Sequence, residues 1–362
     1  MKGKIAFMPA AHTLEFHEYE VPQVDPGWTL LDVTQSNVCG SEVHVWKGEF
    51  MAGRGMMPGH ELAGRIAKLG DGVTKDSAGA PIKAGDRIAP VYFRVCYRCK
   101  NCVRGNHAAC LNPLPGNPHP DHPPHFTAGF STHYFIRPEQ IFYRVPDNVP
   151  DDVAASANCA MSQVFWALDR GGVGYDDTLV VQGAGGLGLH AMALAKARGT
   201  RVIAIDGVDL RLAHAGKFGA DETIDIRQYS DARDRSRRVR ELTGAAGPDA
   251  VLEVAGIPQA FMEALGMVRA GGLVLELGNI SRSLRIDFPP STMTMKSIQV
   301  IAMTGYPPHY LKKALDFLSL HIDRYPYHEL CDAKFPLSRA AEALDKSERR
   351  EVTRAAILPQ QG

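Results

Sequence analysis

The sequence predicts an α/β protein with two domains, one a doubly wound parallel sheet and the other mostly β. Its 362 residues exceed what one hydrophobic core usually serves. Up to about residue 148 the chain is rich in Gly, Pro and short alternating segments, whereas from about residue 151 strands alternate with helices. This alternation indicates right-handed βαβ units and a parallel sheet covered on both faces.

The first region is predicted to be irregular and mostly β, with long loops. Its strands are predicted at 29–33, 65–69, 87–91 and 131–136. A Pro- and His-rich stretch, residues 112–125, is expected to form a disordered surface loop; the alternative is a loop that folds over a cleft and shapes specificity.

The second region begins with a predicted helix over 154–169. Strands are then predicted at 178–181, 202–206, 250–254 and 272–277, with helices between them at 189–198, 210–218 and 261–268. From about residue 298 the pattern gives a strand, helices over 310–320 and 338–345, and a final strand at 355–358. Nothing in this last part resembles an independent fold, so we expect it to pack on the first region.

Composition excludes several classes of function. Forty Lys and Arg residues balance forty Asp and Glu residues, so no basic surface is available to attract nucleic acid. The most apolar window, residues 179–197, is broken by polar residues and glycines, and the amino terminus lacks a signal-peptide pattern. Seven cysteines, an odd number, argue against a disulfide framework and favour metal ligands or reactive thiols in a reducing, cytoplasmic compartment.

A G-x-G-x-x-G motif follows the predicted strand at 178–181 and opens a helix. In that setting the glycines allow a tight turn and close approach of a pyrophosphate to the helix amino terminus, which predicts cofactor binding by Gly183, Gly185, Gly186, Leu187 and Gly188. Asp206 ends the next strand, where a carboxylate accepts hydrogen bonds from an adenosine ribose and favours NAD over NADP. Arg211 could weaken that preference or only face solvent. The alternative is a glycine-rich turn without a ligand.

Four cysteines fall within fifteen residues, with the spacing C-x2-C-x2-C-x7-C: Cys96, Cys99, Cys102 and Cys110. Such spacing lets a short lobe wrap a tetrahedral Zn²⁺, and four thiolates leave no open position for chemistry. The lobe is therefore predicted to hold a structural zinc. Four unrelated thiols, or a zinc ribbon that grips nucleic acid, are the alternatives.

Two further cysteines, Cys39 and Cys159, stand apart from the lobe, and His60 lies between them within P-G-H-E. Three such ligands with one open position are the arrangement of a catalytic zinc. Each also has an ordinary interpretation, because buried cysteines are common core residues. Spacing across 120 residues does not establish that the three meet.

Taken in order, the motifs resemble those of the zinc-dependent alcohol dehydrogenases of the medium-chain dehydrogenase/reductase family over nearly the whole chain. The matching text is V-C-G-S-E-V-H-V-W-K-G at 38–48, P-G-H-E at 58–61, the four-cysteine lobe, Cys159 before a helix, and the glycine loop. The resemblance implies a GroES-like, mostly β catalytic domain at 1–155, with its structural zinc lobe at about 94–112. It further implies a Rossmann NAD-binding domain at 156–297 and a return to the catalytic domain at 298–362.

The resemblance also implies the ligands of a catalytic zinc and their surroundings. Cys39, His60 and Cys159 match the protein ligands, with water or a substrate oxygen as the fourth. Glu61 matches an acidic residue that sits behind the metal or approaches it as a transient ligand. Glu42 matches the acidic residue that holds the zinc-binding histidine.

A proton relay follows from the same resemblance. Ser41 matches the hydroxyl that contacts the reacting oxygen, and His44 matches the outer member, whose ordinary pKa near 6.5 suits proton exchange with water. A helix cap for Ser41 and a surface position for His44 are the alternatives.

Further positions match the substrate and cofactor contacts of the family. Aromatic and apolar residues expected to line the substrate cleft, or else to belong to the core, are Trp46, Phe50, Tyr92, Met161 and Phe165. Three positions depart from relatives or sit near the cofactor: Gln163 replaces a threonine that touches the nicotinamide, Gly40 stands where some relatives carry a basic residue, and Arg354 matches a basic position near the pyrophosphate.

The sequence therefore predicts an oxidoreductase with two Zn²⁺ per chain that transfers hydride between an alcohol, primary and hydrophobic or aromatic, and NAD, giving an aldehyde or ketone. Alternatives are a polyol or amino-alcohol dehydrogenase of the same family, with which Gly40 and Ser41 are compatible, and a non-catalytic NAD(H)-binding zinc protein. The expected partners are a small-molecule alcohol or aldehyde and further copies of the chain in a homodimer or homotetramer, without nucleic acid or membrane.

Overall fold

The computed structural model describes residues 1–50, 55–113 and 119–361. Unit 1 comprises Met1–Ser162 with Gly305–Gly362, and unit 2 comprises Gln163–Thr304. Both boundaries lie seven residues after those expected from the sequence, 155 and 297.

The first segment of unit 1 is mostly β, and its longest strands, β3 and β4, pair antiparallel. The strands are β1 Lys2–Phe7, β2 Glu15–Glu20, β3 Thr29–Asn37, β4 Glu61–Leu69, β5 Arg87–Pro90, β6 His133–Ile136 and β7 Phe142–Arg144. The helices are short: α1 Gly40–Trp46, α2 Lys100–Val103 and α3 Asp151–Ala154. Alternate residues of β3 and β4 bury branched side chains in one core, which includes Leu31, Val33, Leu62 and Ile66.

Unit 2 alternates strands and helices, as the sequence predicts. The helices are α4 Ser162–Gly171, α5 Gly186–Ala197, α6 Asp209–Lys217, α7 Ala232–Leu242, α8 Pro258–Met267 and α9 Ser291–Lys296. The strands are β8 Thr178–Gln182, β9 Arg201–Asp206, β10 Glu222–Asp225, β11 Ala250–Glu253, β12 Leu273–Glu276 and β13 Gln299–Ala302. All neighbouring strands pair in parallel in the order β10-β9-β8-β11-β12-β13, which is a doubly wound sheet.

The carboxyl-terminal segment adds α10 His309–His321, β14 Ala333–Pro336, α11 Ala340–Glu348 and β15 Ala355–Leu358. Strand β15 pairs antiparallel with β3, so this segment completes the sheet β14-β15-β3-β4-β5-β7 of unit 1. Strand β13, in contrast, pairs with β12 and belongs to unit 2. Among the described residues, none of the helices has the length and apolarity that crossing a membrane requires.

The prediction of one continuous helix over 154–169 is wrong in the middle of that range. Helix α3 ends at Ala154, a π-helical turn spans Ala157–Met161, and α4 begins at Ser162. The wider turn is visible in the hydrogen bond from Met161 N to Ser156 O, five residues back, at 3.2 Å. Apolar periodicity does not distinguish a π turn from an α-helix, so the sequence carried no signal for it.

Candidate active site

Helix α1 begins directly after Cys39, and its acidic residue Glu42 turns back toward the helix start. The carboxylate of Glu42 is fully buried and accepts hydrogen bonds from Cys39 N at 2.9 Å, Gly59 N at 3.1 Å and His60 N at 3.3 Å. His60 Nδ1 lies 2.5 Å from the same carboxylate. Because Nδ1 donates its proton in a hydrogen bond to Glu42, the other ring nitrogen, Nε2, is the one that faces a metal.

Cys159 lies in the π turn, which is tied to the sheet by its neighbour Asn158. The Asn158 side-chain amide donates to the carbonyl oxygens of His60 at 3.1 Å, Leu62 at 3.3 Å and Pro90 at 3.0 Å. The hydroxyl of Tyr306 donates to the backbone carbonyl of Asn158. These bonds bring Cys159 to the start of β4, about 100 residues away in sequence.

The structure brings Cys39, His60, Glu61 and Cys159 together, with one ligand atom from each within 4.8 Å of the others. The hydrogen bond from the Cys159 thiol lowers the pKa of Cys39 against the effect of burial. Burial disfavours the imidazolium, but the charges of Glu42 and Cys39 outweigh it and raise the pKa of His60 to about 10. One carboxylate oxygen of Glu61, Oε1, is buried without a hydrogen-bond partner. Two sulfurs, an imidazole and an unsatisfied oxygen form an electron-rich set that fits a zinc ion.

The second carboxylate oxygen of Glu61 pairs with the Arg354 guanidinium, and both side chains are buried. Arg354 matches a basic position near the cofactor pyrophosphate in the family, but here it pairs with Glu61, a residue 293 positions away that the sequence does not connect with it. The arginine balances the charge of Glu61 beside the thiols.

Aromatic rings line one side of the cluster. The ring of Tyr92 lies 4.8 Å from that of His60, and Tyr306 lies 6.3 Å from Tyr92 and 5.3 Å from Phe93. Tyr92, a predicted substrate contact, thus lies beside the donor cluster. Phe93 is half-buried, whereas Tyr306 is fully buried and packs against both rings.

The other predicted substrate contacts are packing residues in this structure. Trp46 is 3% exposed in a core cluster, and its indole N–H donates to Asp345 at 2.9 Å. Phe50 packs against the same cluster. Met161 is fully buried, and Phe165 lies beneath the guanidinium of Arg198.

Helix α1 also carries Ser41 and His44, which lie three residues apart and therefore on one helix face. The residue at the cap position is Cys39, so the interpretation of Ser41 as a cap is wrong. His44 Nδ1 lies 2.8 Å from the Glu49 carboxylate, which fixes the ring and leaves Nε2 for proton exchange.

The four-cysteine lobe forms a second donor set, with all four sulfurs within 4.8 Å of one another. The separations between sulfurs are 4.0 Å for Cys96 and Cys102, 4.0 Å for Cys99 and Cys110, and 3.5 Å for Cys96 and Cys110. Zinc–sulfur bonds of about 2.3 Å in a tetrahedron place sulfurs about 3.8 Å apart, so the lobe fits zinc. Backbone N–H groups of Cys102 and Leu111 lower the pKa of Cys99 to about 6, which favours the thiolate.

The glycine loop has the geometry that the motif predicts. Gly183 has a positive φ of +100°, and a Cβ on Gly188 would overlap the Gly183 carbonyl oxygen, so neither position accepts a larger residue without strain. Gly185, Gly186 and Leu187 open helix α5.

Asp206 at the end of β9 accepts hydrogen bonds from Ala184 N at 2.7 Å, Gly207 N at 2.7 Å and Val208 N at 3.0 Å. It therefore braces the loop as well as standing at the predicted ribose position. The Arg211 guanidinium lies beside the loop, 3.9 Å from the place a Cβ on Gly185 would occupy.

The described part of the Pro- and His-rich stretch packs on strand β2. The ring of His125 stacks on Tyr19 at 4.1 Å, and the Tyr19 hydroxyl donates to Asp121. Residues 114–118 of this predicted loop lie outside the described residues. Gln163, the departure expected near the nicotinamide, is 8% exposed.

Comparison with known proteins identifies the family. The model of the alcohol dehydrogenase GroES-like domain matches residues 25–147, and that of the zinc-binding dehydrogenases matches residues 186–319. A 5-exo-hydroxycamphor dehydrogenase of Pseudomonas putida is 35% identical and covers 90% of this chain and 91% of its own. An erythritol/L-threitol dehydrogenase of Mycolicibacterium smegmatis is 28% identical, and the match covers 96% of this chain and 95% of that protein. The crystal structure of an alcohol dehydrogenase from Thermotoga maritima superposes with a TM-score of 0.90 at 26% identity, covering 99% and 100%.

The chain belongs to the zinc-dependent alcohol dehydrogenases of the medium-chain dehydrogenase/reductase family. It is a zinc-binding oxidoreductase that acts on the CH–OH group of small-molecule alcohols. The predicted family and activity class are thereby confirmed.

Proposed function

We propose that this dehydrogenase oxidises a compact hydrophobic or aromatic alcohol with NAD. The observation that carries the proposal is the pair of half-buried aromatic rings of Tyr92 and Phe93 beside the donor cluster, because aromatic rings favour an apolar substrate. The similarity to a protein named for a hydroxylated camphor supports the same class of substrate.

In the proposed mechanism Cys39, His60 and Cys159 hold zinc, and Glu42 fixes the imidazole of His60. When bound, the metal polarises the alcohol oxygen and the nicotinamide accepts hydride. The Ser41 hydroxyl takes the alcohol proton and passes it to His44 Nε2, which exchanges it with water. Glu49 holds the His44 ring for this transfer.

The preference for NAD rests on Asp206. Its carboxylate ends β9 beside the glycine loop, where it repels a 2′-phosphate and retains lone pairs for a ribose hydroxyl. The nearby Arg211 then serves the pyrophosphate. Asp206→Ser should bring the dissociation constants of NADH and NADPH, measured by fluorescence titration, closer together; a variant that keeps the wild-type ratio contradicts this role.

Two zinc ions per chain, a homodimer or homotetramer and a cytoplasmic location complete the proposal. Two separate donor sets that fit zinc support the stoichiometry, and seven free thiols support a reducing compartment. Metal analysis, light scattering after gel filtration, and cell fractionation test these three points.

The substrate class is tested with cyclohexanol, benzyl alcohol and erythritol. We expect kcat/KM to be highest for the two apolar alcohols, and Tyr92→Ala to lower it for benzyl alcohol by about 10-fold through lost aromatic contact. Tyr175→Ala is the matched control, because Tyr175 is 86% exposed. Preference for erythritol would instead support a polyol dehydrogenase, the class named by the 28% identical relative.

A further inference from the structure

A polar row crosses the central strands of unit 2 at their carboxyl ends. Glu253 on β11 is the register partner of Gln182 on β8 and of Glu276 on β12, so the three side chains project from the same face. Glu253 is fully buried and Gln182 is 3% exposed. Polar groups are costly in the middle of a parallel sheet unless they have partners, so this row requires an explanation.

The two carboxyl groups share one amide, that of Asn279. Its Nδ2 donates to Glu253 Oε2 at 3.1 Å and to Glu276 Oε1 at 3.0 Å, and its backbone N–H donates to Glu276 Oε1 at 3.0 Å. Burial, the charge of Glu276 and a side-chain hydrogen bond with it raise the pKa of Glu253 to about 9, so Glu253 carries a proton at neutral pH. Gly278 lacks the Cβ that would overlap Glu253 Oε2.

Glu253 also connects this amide to the glycine loop. Its Oε1 accepts from Ala255 N at 2.8 Å and Gly256 N at 2.9 Å, which fixes the turn after β11. A Cβ on Gly183 would lie 3.0 Å from Ala255 Cα, so that turn packs closely on the first glycine of the loop. The loops after β8, β11 and β12 are thus held together.

Two amide oxygen atoms of this group are buried without hydrogen-bond partners: Gln182 Oε1 and Asn279 Oδ1. The orientation of Asn279 is fixed by the two bonds from its Nδ2, so its Oδ1 cannot exchange places with the nitrogen without facing the carboxylate oxygens. Both are acceptors, and they require a ligand that supplies N–H or O–H donors.

Sheet topology indicates which part of a dinucleotide reaches these atoms. A bound dinucleotide would place its pyrophosphate at the loop between β8 and α5 and its adenosine beside Asp206 on β9. Strands β11 and β12 lie on the opposite side of β8. The other nucleoside of a dinucleotide therefore crosses their carboxyl ends, and in NAD it carries donors in its ribose hydroxyls and carboxamide.

We propose that Asn279 binds a hydrogen-bond donor of the nicotinamide nucleoside through Oδ1, and that Glu253 and Glu276 are positioning residues that hold its amide. The inference rests on the proposed use of NAD. It assigns to this chain a side-chain contact with the cofactor in addition to the glycine loop and Asp206.

The test compares the affinities of NADH, ADP-ribose and ADP, measured by calorimetry. Asn279→Leu should weaken NADH by about 10-fold, the effect of one lost buried hydrogen bond, and leave ADP unchanged. If Asn279→Leu weakens the binding of both NADH and ADP-ribose, the donor is a hydroxyl of the second ribose. If it weakens NADH alone, the donor is the carboxamide. Asn279→Ser, whose hydroxyl is too short to reach the same place, should reproduce the selective loss if the leucine variant does not fold.

Gln228→Leu, which removes an exposed amide beyond β10, is the control. Equal weakening of ADP and NADH by both Asn279 variants would overturn the inference, because it indicates a structural role, and unchanged NADH affinity would overturn it directly. If the wild-type chain binds ADP but not NADH, the proposed cofactor fails instead. The positioning role of Glu276 is tested with Glu276→Leu, which should reproduce the selective loss of NADH; a variant with wild-type NADH affinity removes Glu276 from the proposal.

Discussion

Replacement of Glu42 by glutamine should weaken both the fold and the hold on zinc at the Cys39 and His60 site. Oε1 of Glu42 receives three donors, from Gly59 N, His60 N and His60 Nδ1, and Oε2 receives one, from Cys39 N. A glutamine keeps the most bonds when its NH₂ replaces Oε2. The glutamine NH₂ then faces the Cys39 N–H, which has lost its acceptor. Loss of this hydrogen bond between buried groups costs about 1–3 kcal/mol.

The second consequence concerns the metal. A neutral amide oxygen holds the His60 Nδ1 proton less firmly than a carboxylate, and loss of such a partner weakens zinc binding by about 10- to 100-fold. Zinc transfer to a competing chelator and urea unfolding measure the two effects separately. Glu18→Gln is the control, since the Glu18 side chain is 52% exposed. Zinc retention and stability equal to those of this control would refute the reasoning.

Three further outcomes are expected. Cys102→Ala should release the zinc of the lobe, one equivalent per chain by elemental analysis, while alcohol oxidation at the other site persists. Arg354→Ala leaves the buried Glu61 carboxylate without its cation and should lower the free energy of unfolding in urea by about 3–5 kcal/mol. The folded chain keeps a proton on Glu253, with its pKa raised from 4.5 to about 9, which the unfolded chain releases. The free energy of unfolding should therefore decrease as the pH rises from 4.5 to 9, by at most about 1.4 kcal/mol per pH unit. Urea unfolding at pH 5, 7 and 9 measures this decrease, and Glu253→Gln should abolish it.

What the sequence predicts well is chemistry confined to a short stretch. The lobe cysteines span fifteen residues, and the glycine loop is contiguous with its strand and helix, so spacing alone restricts their geometry. The strands and helices of unit 2 follow for the same reason, because each is a local pattern. Strand β10 and helices α7 and α9 are exceptions that the sequence analysis did not predict. In α7 the arginines hide the apolar period, and Arg235 is held by an ion pair with Glu263 at 2.7 Å.

Contacts between distant residues could not be read from the residues themselves. Cys39 and Cys159 meet because β4 and the π turn are joined by Asn158, and an asparagine with three backbone acceptors looks like any other in the sequence. Resemblance to a family supplied this pairing, whereas physical reasoning left it open. Trp46 illustrates the converse error, since an aromatic residue near a ligand can equally fill the core.

The two donor sets proposed to hold zinc differ in burial, and charge gives the physical reason. Four thiolates around Zn²⁺ leave a double negative charge, which low-dielectric surroundings would penalise heavily, and this set occupies a lobe where Cys96 and Cys110 are only half-buried and backbone N–H groups face the sulfurs. Two thiolates and an imidazole around the same ion are neutral. That set can lie in the core, where Cys39 and Cys159 are buried and the remaining carboxylate beside it is offset by an arginine. A neutral centre with one free position would also favour loss of the alcohol proton, because an added alkoxide would bring the net charge of the centre to only −1.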